Sequence, residues 1–176
     1  MPSKFTADMS LEDAQEMAAL LGVKHSECSI QSLFEHYQST LTAQLNIAPA
    51  AMESNTVLEN VQARIRGTLL MALSNHSGWI VLTTGNKSEM AVGYCTLYGD
   101  MAGGFAVLKE ISKTMVYQLC EYRNHISPII PERIILRPPS AELRPDQLDQ
   151  DSLPPYEVLD GIIEAYVEKN YSPAEI

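Results

Sequence analysis

The stretch Leu82-Thr83-Thr84-Gly85-Asn86-Lys87-Ser88-Glu89 sets two hydroxyls, a glycine, an amide and a carboxylate at the point where an apolar run gives way to polar residues. The run before it, Trp79-Ile80-Val81-Leu82, is continuous enough to be a strand buried on both faces of a parallel sheet. In open α/β sheets ligands bind beyond the C-terminal ends of the strands. A helix starting there offers N–H groups and a partial positive charge to a phosphate, and Gly85 lets backbone approach closely. A second reading fits the same spacing: Asn86 as N-cap with Glu89 three residues on is an ordinary capping box.

Lys113 follows the cap residue Ser112, in a first helical turn where the helix dipole disfavours a cation. A bound anion would remove that conflict, although a solvated lysine tolerates it at little cost. Asn60, Arg64 and Gly67 fall on one helix stripe. An amide, a guanidinium suited to planar contacts and a small residue can grip a phosphate or ribose, or they can form an exposed helix edge with Arg64 paired to Glu59 or Glu53. The stretch 100–104, Asp100-Met101-Ala102-Gly103-Gly104, is either a plain turn or a loop passing close to a ligand. Asp146, Asp149 and Asp151 can hold Mg²⁺ together with phosphates or form a solvated acidic loop. His25, His36, His76 and His125 have no partner pattern, and Tyr94, Tyr98, Tyr117 and Tyr122 read as core or rim residues.

These residues need elements to position them. Ser10 with Asp13 reads as a capping box opening a helix over 11–21, with Gly22 at its C′ position. A short strand is predicted over 23–30, weakened by Lys24, His25 and Glu27. Helical spacing of Leu33, Phe34, Tyr37, Leu41 and Leu45 predicts a helix over 31–45, followed by a small-residue loop over 46–55. Thr56 and Glu59 suggest another capping box, and the helix after it reaches about Asn75, with Gly78 as its stop. Beyond the strand at 79–82 come a helix over 86–94, a glycine-containing loop over 98–104 and a second short strand over 105–108. Ser112 caps a helix to about Asn124, and one or two turns fit 131–136. Five of the ten prolines lie in 137–155, a long polar loop of the kind that acts as a lid or stays disordered. Pro155 then starts a last helix over 156–169.

Alternation of helix and buried strand says α/β, with a partial doubly wound parallel sheet, since two or three strands are too few for a complete one. At 176 residues, 45% hydrophobic and 19% charged, the chain is one globular domain. The net charge of −10 argues against nucleic acid and anionic lipid. From residue 141 onward nine acids face only Arg144 and Lys169, so −7 of that charge lies there and an anionic ligand suits the earlier part. Cys28, Cys95 and Cys120 are an odd, widely spaced set, which points to reduced thiols and a cytoplasmic location. No apolar run is long enough to span a bilayer, and the first residues contain no signal-peptide core.

In order along the chain, Glu59-Asn60-Val61-Gln62-Ala63-Arg64-Ile65-Arg66-Gly67, the stretch 82–94, Tyr98-Gly99-Asp100-Met101-Ala102-Gly103-Gly104, Arg137-Pro138-Pro139-Ser140-Ala141-Glu142-Leu143 and Asp151-Ser152-Leu153-Pro154-Pro155-Tyr156 resemble the synthetase domain of glutamine-dependent NAD synthetase. The resemblance implies an adenine nucleotide alpha hydrolase-like fold. It also implies a reaction in which ATP, with Mg²⁺, adenylates the nicotinate carboxylate of deamido-NAD and ammonia then displaces AMP. Matched motif by motif, Thr84, Lys113 and Ser140 are the expected ATP contacts. Asn60, Arg64 and Glu89 are the expected deamido-NAD contacts, with Glu89 also beside Mg²⁺. Family members form homodimers and take ammonia from a glutaminase domain.

The sequence departs from the family in several places. It contains no Ser-Gly-Gly-x-Asp-Ser phosphate loop, so the first strand and phosphate loop of the family fold are expected to be missing from 1–176. None of the three cysteines matches the glutaminase nucleophile. The basic C-terminal substrate contacts of the family have no counterpart either. The expectation is a partial synthetase domain that is inactive alone. The rival readings are a non-catalytic remnant acting as a binding or dimerisation module, and a related ATP-pyrophosphatase amidotransferase with another acceptor, against which the Asn60/Arg64 motif argues.

Overall fold

A computed structural model describes residues 1–48, 51–52 and 56–176. Helix α1 (Asp8–Leu21) ends at Gly22, whose φ of 66° lets its N–H reach back to the carbonyls of Ala18 and Ala19. Glycine adopts this left-handed conformation without steric cost, as predicted. The start of α1 differs from the expectation. The helix begins at Asp8 with Ala7 as its N-cap and no side-chain cap. Ser10 and Asp13 are spent on distant partners: the Ser10 hydroxyl donates to Glu142 at 2.6 Å, and Asp13 pairs with Arg133 at 2.6 Å.

No strand forms over 23–30, which corrects the second expectation. Residues 23–29 are exposed and only Ile30 is buried. With charges at Lys24 and Glu27 and no neighbouring strand to pair with among the described residues, the segment runs as a connector. Ile30 anchors it by donating its N–H to the Pro2 carbonyl at 2.9 Å. Helix α2 (Gln31–Leu45) spans the predicted residues. The predicted loop over 46–55 falls partly outside the described residues.

Helix α3 (Thr56–Ser77) is the longest element and stops at Gly78, where φ is 73°. Its Leu58 and Ile65 close over Ile30, Phe34 and Met52 to make the main apolar core. Each such side chain contributes about 1.5–3 kcal/mol when fully buried. The predicted cap at Thr56 borders residues outside the described ones.

Among the described residues the sheet has two strands, β1 (Leu82–Thr83) and β2 (Phe105–Ala106), paired in parallel with Leu82 opposite Phe105. The parallel relation agrees with the sequence; burial on both faces does not. Thr83 is buried, whereas Trp79 is 72% exposed and Leu82 55% exposed. Side chains alternate across a strand, and among the described residues only the Thr83 face is covered.

Helix α4 (Lys87–Ala91) is shorter than predicted but carries the predicted cap. Helix α5 (Lys113–Ile126) is capped by Ser112, whose hydroxyl accepts the Met115 N–H. Helix α6 (Glu132–Leu136) follows. The proline-rich stretch 137–155 contains one 3₁₀ turn, Asp149–Asp151, before helix α7 (Tyr156–Ile163), which continues as a π-turn over Glu164–Glu168. Tyr156, Leu159 and Ile163 form a second small core with Leu153.

The loop is tied to α3. Gln62 is fully buried; its Nε2 donates to the Leu143 carbonyl at 2.8 Å and its Oε1 accepts from the Ser3 hydroxyl at 2.8 Å. Arg144 meets Glu59 at 3.4 Å, and the Gln147 amide donates to the same carboxylate. Buried polar groups are stable only when bonded in this way. The proline-rich segment is therefore laid across α3 and closes one side of a cleft.

Candidate active site

The cleft encloses about 1360 Å³ between α3, the end of β1, α4, the start of α5 and the loop. Thr84, Glu89, Asn60, Lys113 and Ser140 all line it. Gly67 and Asp100 do so as well. The sequence thus brought together residues up to 80 positions apart. Arg64 is the exception. It is exposed, lies outside the cleft lining, and donates from Nε to the Leu97 carbonyl at 3.2 Å.

Glu89 serves two purposes at once. In the capping box its Oε2 accepts the Asn86 N–H at 3.2 Å while Asn86 Oδ1 accepts the Glu89 N–H at 3.0 Å. Its Oε1 accepts from Lys113 Nζ at 2.9 Å. Both side chains of this pair are about four-fifths buried, at 19% and 18% exposure. The two readings of Glu89 drawn from the sequence are therefore compatible. The expectation of open N–H groups at the start of α4 needs correction: the Lys87 N–H already donates to the Ile111 carbonyl, and that of Glu89 to Asn86.

Lys113 stands at the start of α5 as predicted, and Glu89 relieves its conflict with the helix dipole. Its own N–H donates to the Ser88 hydroxyl at 2.8 Å. Ser88 donates in turn to Asp160, which also accepts the N–H and hydroxyl of Thr114 at 2.9 and 2.7 Å. One carboxylate from α7 thus pins α4 and α5 together.

Asn60 Oδ1 accepts from the Thr96 hydroxyl at 2.8 Å, and the Thr96 N–H donates to Asp100 at 2.7 Å. This fixes the loop that packs on Gly67, where a Cβ would lie 2.8 Å from the Gly99 carbonyl oxygen. Ser140 Oγ accepts the Glu142 N–H at 3.1 Å.

The three loop acids do not converge. Asp146 is exposed, Asp151 pairs with Arg144 at 2.8 Å, and Asp149 is buried against Tyr156. Among the described residues no group of three His, Cys, Asp or Glu side chains is placed to hold a metal. Burial pushes the Cys95 thiol up, helped by Asp100 and Glu89, and burial likewise raises Cys120. Both thiols are thereby kept protonated and weakly nucleophilic.

Arg66, to which the sequence assigned no role, also lines the cleft, as do Tyr94 and Tyr117, read as core or rim residues, and Asp149, read as a Mg²⁺ candidate or solvated acid. Arg66 lies on α3, where its Nε donates to the Met1 carbonyl at 2.9 Å; burial pulls its guanidinium below the ordinary arginine range, opposed by Glu142. Arg66 sits two residues past Arg64 on the same helix; burial separates them, Arg66 being half-buried and Arg64 exposed, and residue spacing carries no signal of it.

An α/β domain with a parallel strand end, a carboxylate–lysine pair and a roofing loop around one cleft has the fold of the NAD synthetases. The solved glutamine-dependent NAD⁺ synthetase of Acinetobacter baumannii, in complex with adenosine diphosphate, superposes with a TM-score of 0.73 at 48% identity, over 99% of this chain and 30% of that one. The NMN synthetase of Francisella tularensis gives 0.79 at 27% identity, over 99% of this chain and 66% of that one. The family model described as NAD synthase matches residues 1–176, and this chain belongs to that family. The glutamine-dependent NAD(+) synthetase of Acinetobacter baylyi is 55% identical over 178 residues, and that of Thermotoga maritima 53%. Each alignment covers all of this chain but only 32% and 30% of those proteins, so the chain spans about a third of their length. Among the described residues no helix is long and apolar enough to cross a membrane.

Proposed function

We propose that this chain is the part of a glutamine-dependent NAD synthetase that holds ATP and deamido-NAD during amidation. The observation that carries the reading is the convergence of Thr84, Glu89, Asn60, Lys113 and Ser140 on one cleft, with Glu89 and Lys113 paired inside it. The Acinetobacter baumannii relative binds an adenine nucleotide, ADP, which supports it.

In the proposed reaction the nicotinate carboxylate of deamido-NAD attacks the α-phosphorus of ATP and pyrophosphate leaves. Ammonia then attacks the acyl carbon and AMP leaves, giving NAD. The protein's task is to hold two polyanions in line and offset their charge. Lys113 meets phosphate oxygens, Thr84 and Ser140 donate hydroxyls to the nucleotide, and Asn60 orients deamido-NAD. Arg64 reaches that ligand only by leaving the Leu97 carbonyl.

Glu89 fits Mg²⁺ as a single carboxylate whose partners are phosphate oxygens and water, the usual pattern for that ion; bound there, Mg²⁺ would offset phosphate charge. The ammonia comes from glutamine hydrolysed elsewhere in the full protein, a homodimer or larger assembly placed in the cytoplasm. A chain without a Ser-Gly-Gly-x-Asp-Ser loop is expected to make no NAD by itself.

Calorimetry of the chain with ATP and Mg²⁺, and with deamido-NAD, tests the reading. Heat is expected with both, and Glu89→Ala should remove the Mg²⁺-dependent part of the ATP heat and weaken deamido-NAD binding; absence of heat with either ligand overturns it. The exposed apolar residues Trp79, Ile80, Leu82 and Phe105 favour a second reading, a non-catalytic module that associates through its sheet. That reading is selected by concentration-dependent association without any heat of ligand binding.

A further inference from the structure

Lys113 has a second neighbour besides Glu89. Its Nζ stands 5.2 Å from the centroid of the Tyr156 ring, within the range of a cation–π contact. The ring itself cannot move freely. Tyr156 is 4% exposed, packs with Leu159 and Ile163, and donates its hydroxyl to Asp149 Oδ2 at 2.7 Å.

Asp149 is unusual in its own right. It is 3% exposed, its Oδ1 is buried with no hydrogen-bond partner of good geometry among the described residues, the Tyr94 hydroxyl stands close enough to feel its charge, and it lines the cleft from the proline-rich loop. Its N–H donates to the Pro139 carbonyl at 3.0 Å, which fixes it beside Ser140. Burial pushes the Tyr156 hydroxyl upward, and the bond to Asp149 adds to the effect, so the phenol stays a donor. A phenol bonded to a carboxylate has a more electron-rich ring, and such a ring face holds an ammonium more strongly.

The geometry points to Tyr156 as the positioning residue for Lys113, with Asp149 setting the strength of that hold through the phenol hydroxyl. The inference rests on the reading of Lys113 as a phosphate contact. A lysine held only by Glu89 would swing away whenever Glu89 turned to a cation, and ordering its four-carbon stem again would oppose ligand binding. A ring face supplies a seat with no acceptor oxygen to compete with phosphate. The lysine then stays in the cleft while its donors remain available. The same contact gives a role to the tyrosine of an otherwise apolar second core and to the buried acid bonded to it.

The test uses the 176-residue chain with ¹³C-labelled lysine. The ε-methylene protons of Lys113, assigned by Lys113→Arg, are expected upfield of the other lysines because of the ring current. Tyr156→Phe and Asp149→Asn should each reduce that displacement, and Tyr156→Leu should abolish it. A Lys113 signal coincident with exposed lysines, or one unmoved by Tyr156→Phe and Asp149→Asn, overturns the proposal even where Tyr156→Leu fails to fold. Calorimetry with inorganic pyrophosphate gives the second measure. Tyr156→Leu should weaken binding about three- to tenfold and have no further effect when Lys113→Met is already present. An equal loss in both backgrounds shows a merely structural tyrosine and overturns the proposal. Failure of the parent chain to bind pyrophosphate overturns the phosphate reading, and the ring-current shift still decides the seat.

Discussion

The Ser88 hydroxyl donates to the carboxylate of Asp160, a residue 72 positions away, while the other oxygen of that carboxylate accepts the N–H and hydroxyl of Thr114. Helices α4 and α5 therefore receive their alignment from α7. Glu89 and Lys113 follow Ser88 and precede Thr114 directly, so this joint sets their spacing. Asp160→Ala removes a helix-start acceptor, worth about 1 kcal/mol, and leaves the nearly fully buried Ser88 hydroxyl without its acceptor, worth about another 1–3 kcal/mol. A drop of about 2–4 kcal/mol in urea-unfolding stability is expected, with Asp160→Asn losing less. An unchanged midpoint would show that the joint is incidental.

Alkaline pH should destabilise the chain through buried Tyr156 and half-buried Tyr94 and Tyr117, all three raised by burial. Tyr94 is raised above its ordinary value by burial and then by Asp149, and Tyr156 by burial and then by its bond to Asp149. A group whose folded-state pKa lies above the unfolded one contributes its stability below the unfolded value, about 10 for tyrosine, and loses it as pH rises toward the folded value. Cys95 and Cys120, raised by burial above an unfolded value of about 8.5, start the fall, and the tyrosines steepen it above about pH 10. Tyr156→Phe, which deletes one of these hydroxyls, should flatten the fall. Urea midpoints measured from neutral pH upward, with tyrosine ionisation followed by absorbance, check the sign.

Gly67 is expected to be intolerant of even one methyl group. Within a helix, alanine would ordinarily gain about 1 kcal/mol over glycine. Here the added Cβ would meet the Gly99 carbonyl oxygen at 2.8 Å and the Tyr98 carbonyl oxygen at 3.0 Å, both backbone atoms of the loop held by Asn60, Thr96 and Asp100. Overpacking of this kind costs about 1–3 kcal/mol. Gly67→Ala should lower the melting temperature and weaken deamido-NAD binding together. A stabilised variant would mean that the loop gives way without cost.

What was legible in the sequence was local. The cap at Asn86, the cap at Ser112, the stop at Gly22 and the helix over Gln31–Leu45 depend on residues three or four apart, and the structure has them all. The misread elements were decided by distant partners. Ser10 and Asp13 look like a cap until Glu142 and Arg133 take them. Trp79 to Leu82 read as a doubly buried strand, but how far a strand is covered depends on neighbours, and among the described residues only β2 pairs with it. The site was legible mainly through the resemblance of whole motifs. Spacing alone could not separate Arg64 from Arg66, or show that the Tyr156 ring lies against Lys113 with Asp149 on its hydroxyl.

The Glu89–Lys113 pair makes the binding of cation and polyphosphate interdependent. Each side chain now offsets the other at less than one-fifth exposure, so drawing either away leaves a largely buried charge. A phosphate that takes Lys113 frees Glu89 for Mg²⁺, and the ion in turn frees Lys113. Pyrophosphate should therefore bind the parent chain at least about tenfold more tightly with Mg²⁺ than the ion's effect on Lys113→Met allows, a coupling of about 1.4 kcal/mol. Glu89→Gln should abolish the Mg²⁺ dependence while leaving pyrophosphate bound, because Lys113 is then no longer neutralised. Calorimetric titrations of the parent and the two variants, with and without Mg²⁺, measure this directly. Equal Mg²⁺ enhancement in all three would mean that the pair is a structural bridge unconnected with ligand.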